Sequence, residues 1–82
     1  MDIVELRELL DAVPVPPDAV VLLGDTPDEA YVLDRDGTGW VVFYAERGLR
    51  TEERRYPSED EACRDLYTRA TRAFPGQRPA GP

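Results

Sequence analysis

Three patterns of apolar and polar positions succeed one another along the chain. Ile3, Leu6, Leu10 and Val13, joined by Leu9, recur at the helical period and predict an amphipathic helix over residues 2–13. Asp2 stands in the capping position and Glu5 follows three residues later, the spacing of a capping box. Pro14 closes this helix, because a proline has no N–H to donate and drives the residue before it, Val13, out of helical geometry. Pro14, Pro16 and Pro17 then make a stiff, extended connector.

Alternation follows. Residues 29–35 and 40–46 alternate as strands do, and residues 49–56 continue as a largely charged strand, suited to a sheet edge that must not pair with other chains. Asp36, Gly37, Thr38 and Gly39 supply a four-residue loop between the first two strands, and Arg47 and Gly48 a two-residue turn before the third. The short run Val20, Val21, Leu22 and Leu23 reads equally as a strand or as a buried single turn, since periodicity does not separate the two over so few residues.

Helical spacing then returns. Ser58 and Glu61 form a second capping box, with Glu59 and Asp60 in the first turn, where the helix dipole favours negative charge. Ala62, Leu66, Ala70 and Ala73 make its apolar stripe, flanked by Cys63, Tyr67 and Phe74, until Pro75 and Gly76 stop it. Residues 77–82 read as a flexible tail. The chain of 82 residues is therefore expected to be one small α+β domain over residues 1–76, ordered α-β-β-β-α, in which two helices pack a three-stranded antiparallel meander.

Those turns sort the strands into two faces. Tyr31, Leu33, Trp40, Val42, Tyr44 and Leu49 share one, while Ala30, Val32, Val41, Phe43, Ala45 and Tyr56 share the other. Both are apolar at the centre, so either helices cover both or one is left for a partner. On the first alternative Tyr31, Trp40 and Tyr44 are core. If instead both helices pack on the opposite side, these aromatics are exposed interface anchors.

The net charge of −7 comes from 17 acidic and 10 basic residues, and every basic residue is Arg. A surface of that sign repels phosphate backbones and anionic lipid, which disfavours nucleic acid and membrane surfaces and favours a basic protein partner. The absence of His and Lys removes the commonest general base, metal ligand and Schiff-base former. The acid pairs Asp34 with Asp36 and Glu52 with Glu53 suggest no pocket, and Asp34, Asp36 and Gly37 lack the later ligands of a calcium loop. Cys63, the single cysteine, reads as a small core thiol. No catalytic residue, metal or cofactor is expected, and the chain reads as a binder rather than an enzyme.

The lone cysteine gives no disulfide, Asp2 and Glu5 replace the positive start of a secretion signal, and no apolar run reaches the roughly 20 residues of a membrane span. A cytoplasmic location is the expectation.

The element order resembles that of double-stranded-RNA-binding domains, but the second helix opens with Ser58-Glu59-Asp60-Glu61, where those domains place basic residues. A closer resemblance lies in sequence. The segments 29–33, 39–48 and 56–63, with a tryptophan-opened strand, a Glu-Arg-Gly turn and an acidic Ala-Cys helix start, are similar to small bacterial immunity proteins. Such proteins are encoded beside secreted polymorphic toxins, some resembling NAD-glycohydrolases. The likeness covers roughly residues 28–70. It implies a protein that binds its cognate toxin in the cytoplasm and neutralises it. Exposed charge and aromatic anchors would then carry the contact, on Asp34, Asp36, Trp40, Tyr44, Glu46, Arg47, Arg50 and Glu52. The alternative is a homodimeric structural or regulatory module that self-associates through its aromatic face.

Overall fold

The computed structural model describes residues 1–13, 15–24 and 28–74, so the tail expected at 77–82 lies outside the described residues. Helix α1 spans Ile3–Asp11 and leads through a 3₁₀ turn at Pro17–Ala19 into strand β1, Val20–Leu22. Strands β2, Ala30–Asp36, β3, Gly39–Glu46, and β4, Leu49–Tyr56, follow, and helix α2 spans Glu59–Ala73. The N-cap half of each expected capping box forms, the Asp2 carboxylate accepting from the Glu5 amide at 2.8 Å and Ser58 Oγ from the Glu61 amide at 3.2 Å. Neither glutamate bonds back to the cap amide, and the Glu61 carboxylate accepts from Ser58 Oγ at 2.9 Å instead. The α+β class holds.

The sheet has four strands in the order β1-β2-β3-β4 rather than three, and it is mixed rather than all antiparallel. The run whose reading was open, Val20–Leu22, is a strand parallel to β2, with Val21 opposite Val32. A strand of three residues is about 10 Å long, so a short connection suffices to return the chain beside it. Leu23 and Glu29, which flank that connection, both take left-handed φ values, 58° and 56°.

The first hairpin is tighter than expected. Asp36 pairs with Gly39, so only Gly37 and Thr38 lie between the strands, and Gly37 takes φ 61°. At the second hairpin Arg47 and Gly48 both have positive φ, 51° and 79°, the requirement of a type I′ turn. Gly39 is required for a different reason: a Cβ there would lie 2.8 Å from the Tyr56 carbonyl oxygen, so β3 and β4 approach this closely only without one.

Simple alternation fails in β4. Val42 lies opposite Arg54 and Tyr44 opposite Thr51, so Glu52 and Glu53 together face the single residue Phe43. This is a β-bulge, with Glu52 at φ 54°. The extra residue flips the rest of the strand. Tyr56, assigned by alternation to the Phe43 face, instead pairs with Trp40 on the opposite one.

Both helices pack on that Trp40 face. Leu6 and Leu10 of α1 and Ala62, Cys63, Leu66 and Ala70 of α2 enclose Leu33 and Val42, with Tyr31, Trp40 and Tyr56 against the cluster. The Ile3 amide donates to the Glu59 carboxylate at 2.9 Å and the Met1 amino group donates to Asp60, which ties the start of α1 to the start of α2. A smaller cluster, Val32, Val41, Phe43 and Ala45, occupies the other face, joined by Val21 from β1. No described helix packs on it. Among the described residues no helix is long and apolar enough to cross a membrane.

Burial in the larger cluster pushes the Cys63 thiol up to about 11, with Glu59 adding to the effect. Tyr56 is also raised, by burial first and then by its hydrogen bond to Asp65. Both groups hold protons in the folded state that the unfolded chain releases sooner, so stability is complete below the ordinary thiol value and falls as pH climbs toward 11. Urea unfolding is expected to show a lower midpoint at about pH 10.5 than at about pH 8, and Cys63→Ala to shed part of that alkaline loss.

Candidate partner-binding surface

The helix-free face combines a rigid apolar floor with a charged upper layer. Val32, Phe43 and Ala45 are fully buried and Val41 is 3% exposed, so the floor itself offers no open apolar patch. Charged side chains from the two flanking strands lie over it. Arg55 Nε donates to Asp36 Oδ2 at 2.6 Å and its Nη2 reaches Glu53 Oε2 at 3.5 Å, while Arg50 Nη1 meets the same Glu53 oxygen at 3.3 Å. Asp36, Arg55, Glu53 and Arg50 thus form one chain of alternating sign from β2 to β4. Asp36 first, then Glu53, stabilises the charged form of Arg55.

Arg50 is held at both ends. Its guanidinium lies 4.2 Å from the centroid of the Phe43 ring, so the ring that anchors the floor also positions the cation above it. Exposed ion pairs of this kind add little to stability, because water screens them and the long side chains lose freedom. Their consequence is a fixed charge pattern on a stiff sheet, which is the form of surface that selects a partner.

The structure divides the residues expected at the contact. Asp34, Asp36 and Arg50 come together on the helix-free face, where Asp34 pairs with Val41 and Arg50 with Ala45. Trp40 and Tyr44 lie on the opposite, helix-covered face and are half-buried, so they are not the freely exposed anchors of one alternative. The Arg35 guanidinium sits 4.8 Å from the Trp40 centroid, and the Tyr31 and Tyr44 rings meet at 4.9 Å, tilted by 55°. Burial raises the Tyr44 phenol above its ordinary range, with Glu29 and Glu46 adding to the shift. Glu46 and Arg47 project at the hairpin tip, and Glu52, at the bulge, lies beside Arg69 and Arg72 of α2.

Sequence reasoning missed Glu53 and Arg55. Strict alternation puts Arg55 with Trp40, and only the bulge carries it to the helix-free face, opposite Val41. The available signal was the left-handed backbone at Glu52, which a glycine would have advertised and a glutamate conceals. Among the described residues no three His, Cys, Asp or Glu side chains converge as metal ligands. Comparison with protein-family models, with curated proteins and with solved structures finds no match to this chain.

Proposed function

We propose that this protein is an immunity protein that binds a cognate secreted toxin in the cytoplasm and neutralises it by direct contact, without catalysis. The observation that carries this reading is the helix-free face, a charge chain fixed over a buried apolar floor and placed on strands rather than loops. A contact of that kind is pre-organised, so little conformational freedom is lost on binding. The net charge of −7 supports it in a second way, by steering the chain toward a basic toxin domain and raising the encounter rate. The similarity of segments 29–33, 39–48 and 56–63 to immunity proteins points the same way.

In this mechanism Asp34 and Asp36 meet cations of the toxin, while Arg50 and Arg55 keep their internal partners and turn their remaining N–H groups to its carboxylates. The test is co-expression with the protein encoded immediately upstream, scoring survival and co-purification together. The double variant Arg50→Glu, Arg55→Glu is expected to weaken capture at least ten-fold, while Arg47→Ala at the hairpin tip changes it little. Survival without physical association would rule the mechanism out, and an unchanged affinity in the double variant would move the contact off this face.

A further inference from the structure

The two edges of the sheet are built differently. β4 carries the protections of a strand that must not pair: a bulge at Glu52, charged side chains along most of its length, and exposure at every position from Leu49 to Arg55. β1 has only the protection of its length, three residues. It consists of Val20, Val21 and Leu22, with no charge, proline or bulge.

The hydrogen bonding of β1 shows which of its backbone groups face outward. The Leu23 amide donates to the Leu33 carbonyl at 2.9 Å, and Leu22 pairs with Leu33. In a parallel ladder this alternation turns Val21 and Leu23 toward β2 and leaves the N–H and C=O groups of Val20 and Leu22 directed away from the sheet. Among the described residues no backbone group bonds to them from that side.

Directly beside this edge is a cleft of about 210 Å³ between α1 and the β1 approach, lined by Leu10, Val13, Val15 and Pro17 together with Val20 and Leu22. Val20 and Leu22 therefore present outward-facing backbone and side chains over the cleft at the same two positions. A strand laid along β1 would place one of its alternate side chains into that space.

The geometry points to a strand-docking site at the β1 edge, whose occupant is an extended segment of a partner protein with alternating apolar and basic residues. Backbone pairing to Val20 and Leu22 supplies the adhesion, and one apolar side chain fills the cleft. Basic residues follow from charge complementarity: Arg7 and Asp11 both line the cleft and offset each other, Asp18 stands exposed ahead of the strand, and the chain as a whole carries −7. That same charge opposes a second copy of this chain, since edge-to-edge pairing would bring two acidic surfaces together. The site is separate from the helix-free face and does not depend on the toxin-neutralising function.

The test uses the ¹⁵N-labelled full chain titrated with a capped peptide of alternating lysine and valine. Expected are saturable shifts at the Val20 and Leu22 amides and at Val13 and Val15, slowed hydrogen exchange at Val20 and Leu22, and no change along β4. Methylating the peptide nitrogens on its pairing edge, or replacing its lysines with glutamates, is expected to weaken binding at least ten-fold. Val20→Lys should do the same, with the rest of the spectrum confirming the fold. Because that substitution also strains a half-buried position, Asp11→Asn with Asp18→Asn provides a second variant, expected to weaken binding of the lysine peptide without touching the strand. Shifts confined to Arg50 and Arg55, equal binding of the glutamate peptide, or sedimentation showing the chain paired with itself through β1 would each overturn the proposal.

Discussion

Phe43→Ala is expected to lower the unfolding free energy by about 3–5 kcal/mol, the range for removing a buried aromatic side chain from a core that relaxes only in part. Phe43 is the largest fully buried side chain, and it is the centre of the smaller of the two clusters. A domain of 82 residues has roughly 4–12 kcal/mol in total, so the loss takes a large share of it. Thermal unfolding followed by circular dichroism should show a midpoint lower by about 15–30 °C. Leu49→Ala, at a side chain 66% exposed, should stay within about 0.5 kcal/mol. The same Phe43 substitution also removes the surface on which Arg50 rests, so any variant molecules that remain folded should bind a partner more weakly. A loss below about 1 kcal/mol would show that the helix-free face contributes little to the fold.

Asp65→Ala is the second large effect, and it acts through charge rather than volume. Asp65 joins β4 to α2: the Tyr56 hydroxyl donates to its Oδ2 at 2.6 Å, and Arg69 Nε donates to its Oδ1 at 3.0 Å. The Arg69 and Asp65 side chains are only 14% and 18% exposed, and Arg69 Nη1 is already buried with no hydrogen-bond partner among the described residues. Removing the carboxylate deprives a largely buried guanidinium of its ion-pair partner and leaves only the exposed Glu52 nearby, which costs about 3 kcal/mol. Tyr56→Phe deletes a single hydrogen bond and should cost about 1 kcal/mol. The double substitution Asp65→Leu, Arg69→Met removes both charges together, and it should be markedly less harmful than Asp65→Ala alone. Urea titrations of the three variants provide the comparison. If the double variant were the least stable of them, the pair would be contributing net stability rather than satisfying its own burial.

Local chemistry wrote most of the elements into the chain. The caps at Asp2 and Ser58, the proline that precedes α2, and the positive-φ turn at Arg47 and Gly48 each act within four residues, and each appears where its residues stand, while α1 ends at Asp11, two residues short of the expected Val13. The α+β class follows from them, because helical and alternating periods cannot be exchanged without exposing the apolar stripe. The same reasoning could identify Asp34, Asp36 and Arg50 as exposed candidates, since polar residues on a sheet strand have to face solvent or a partner.

Three features were decided only in the folded molecule. Val20–Leu22 became a strand because β2 offered it a free edge, a fact held by residues far along the chain. The bulge at Glu52 was hidden because β4 is polar at nearly every position: a one-residue slip there exposes no apolar side chain, so the hydrophobic pattern places no constraint on the register. That slip decided where Arg55 and Tyr56 point, and with them half of the charge chain on the helix-free face. The choice of face was the third. β3 is apolar on both sides, so its sequence is equally compatible with helices on either, and the packing of α1 and α2 against Leu33 and Val42 settled which side faces outward. Sequence alone determined the elements, because their causes are local. Tertiary structure decided the surface, because pairing register and the covered face depend on contacts between segments that no local pattern records.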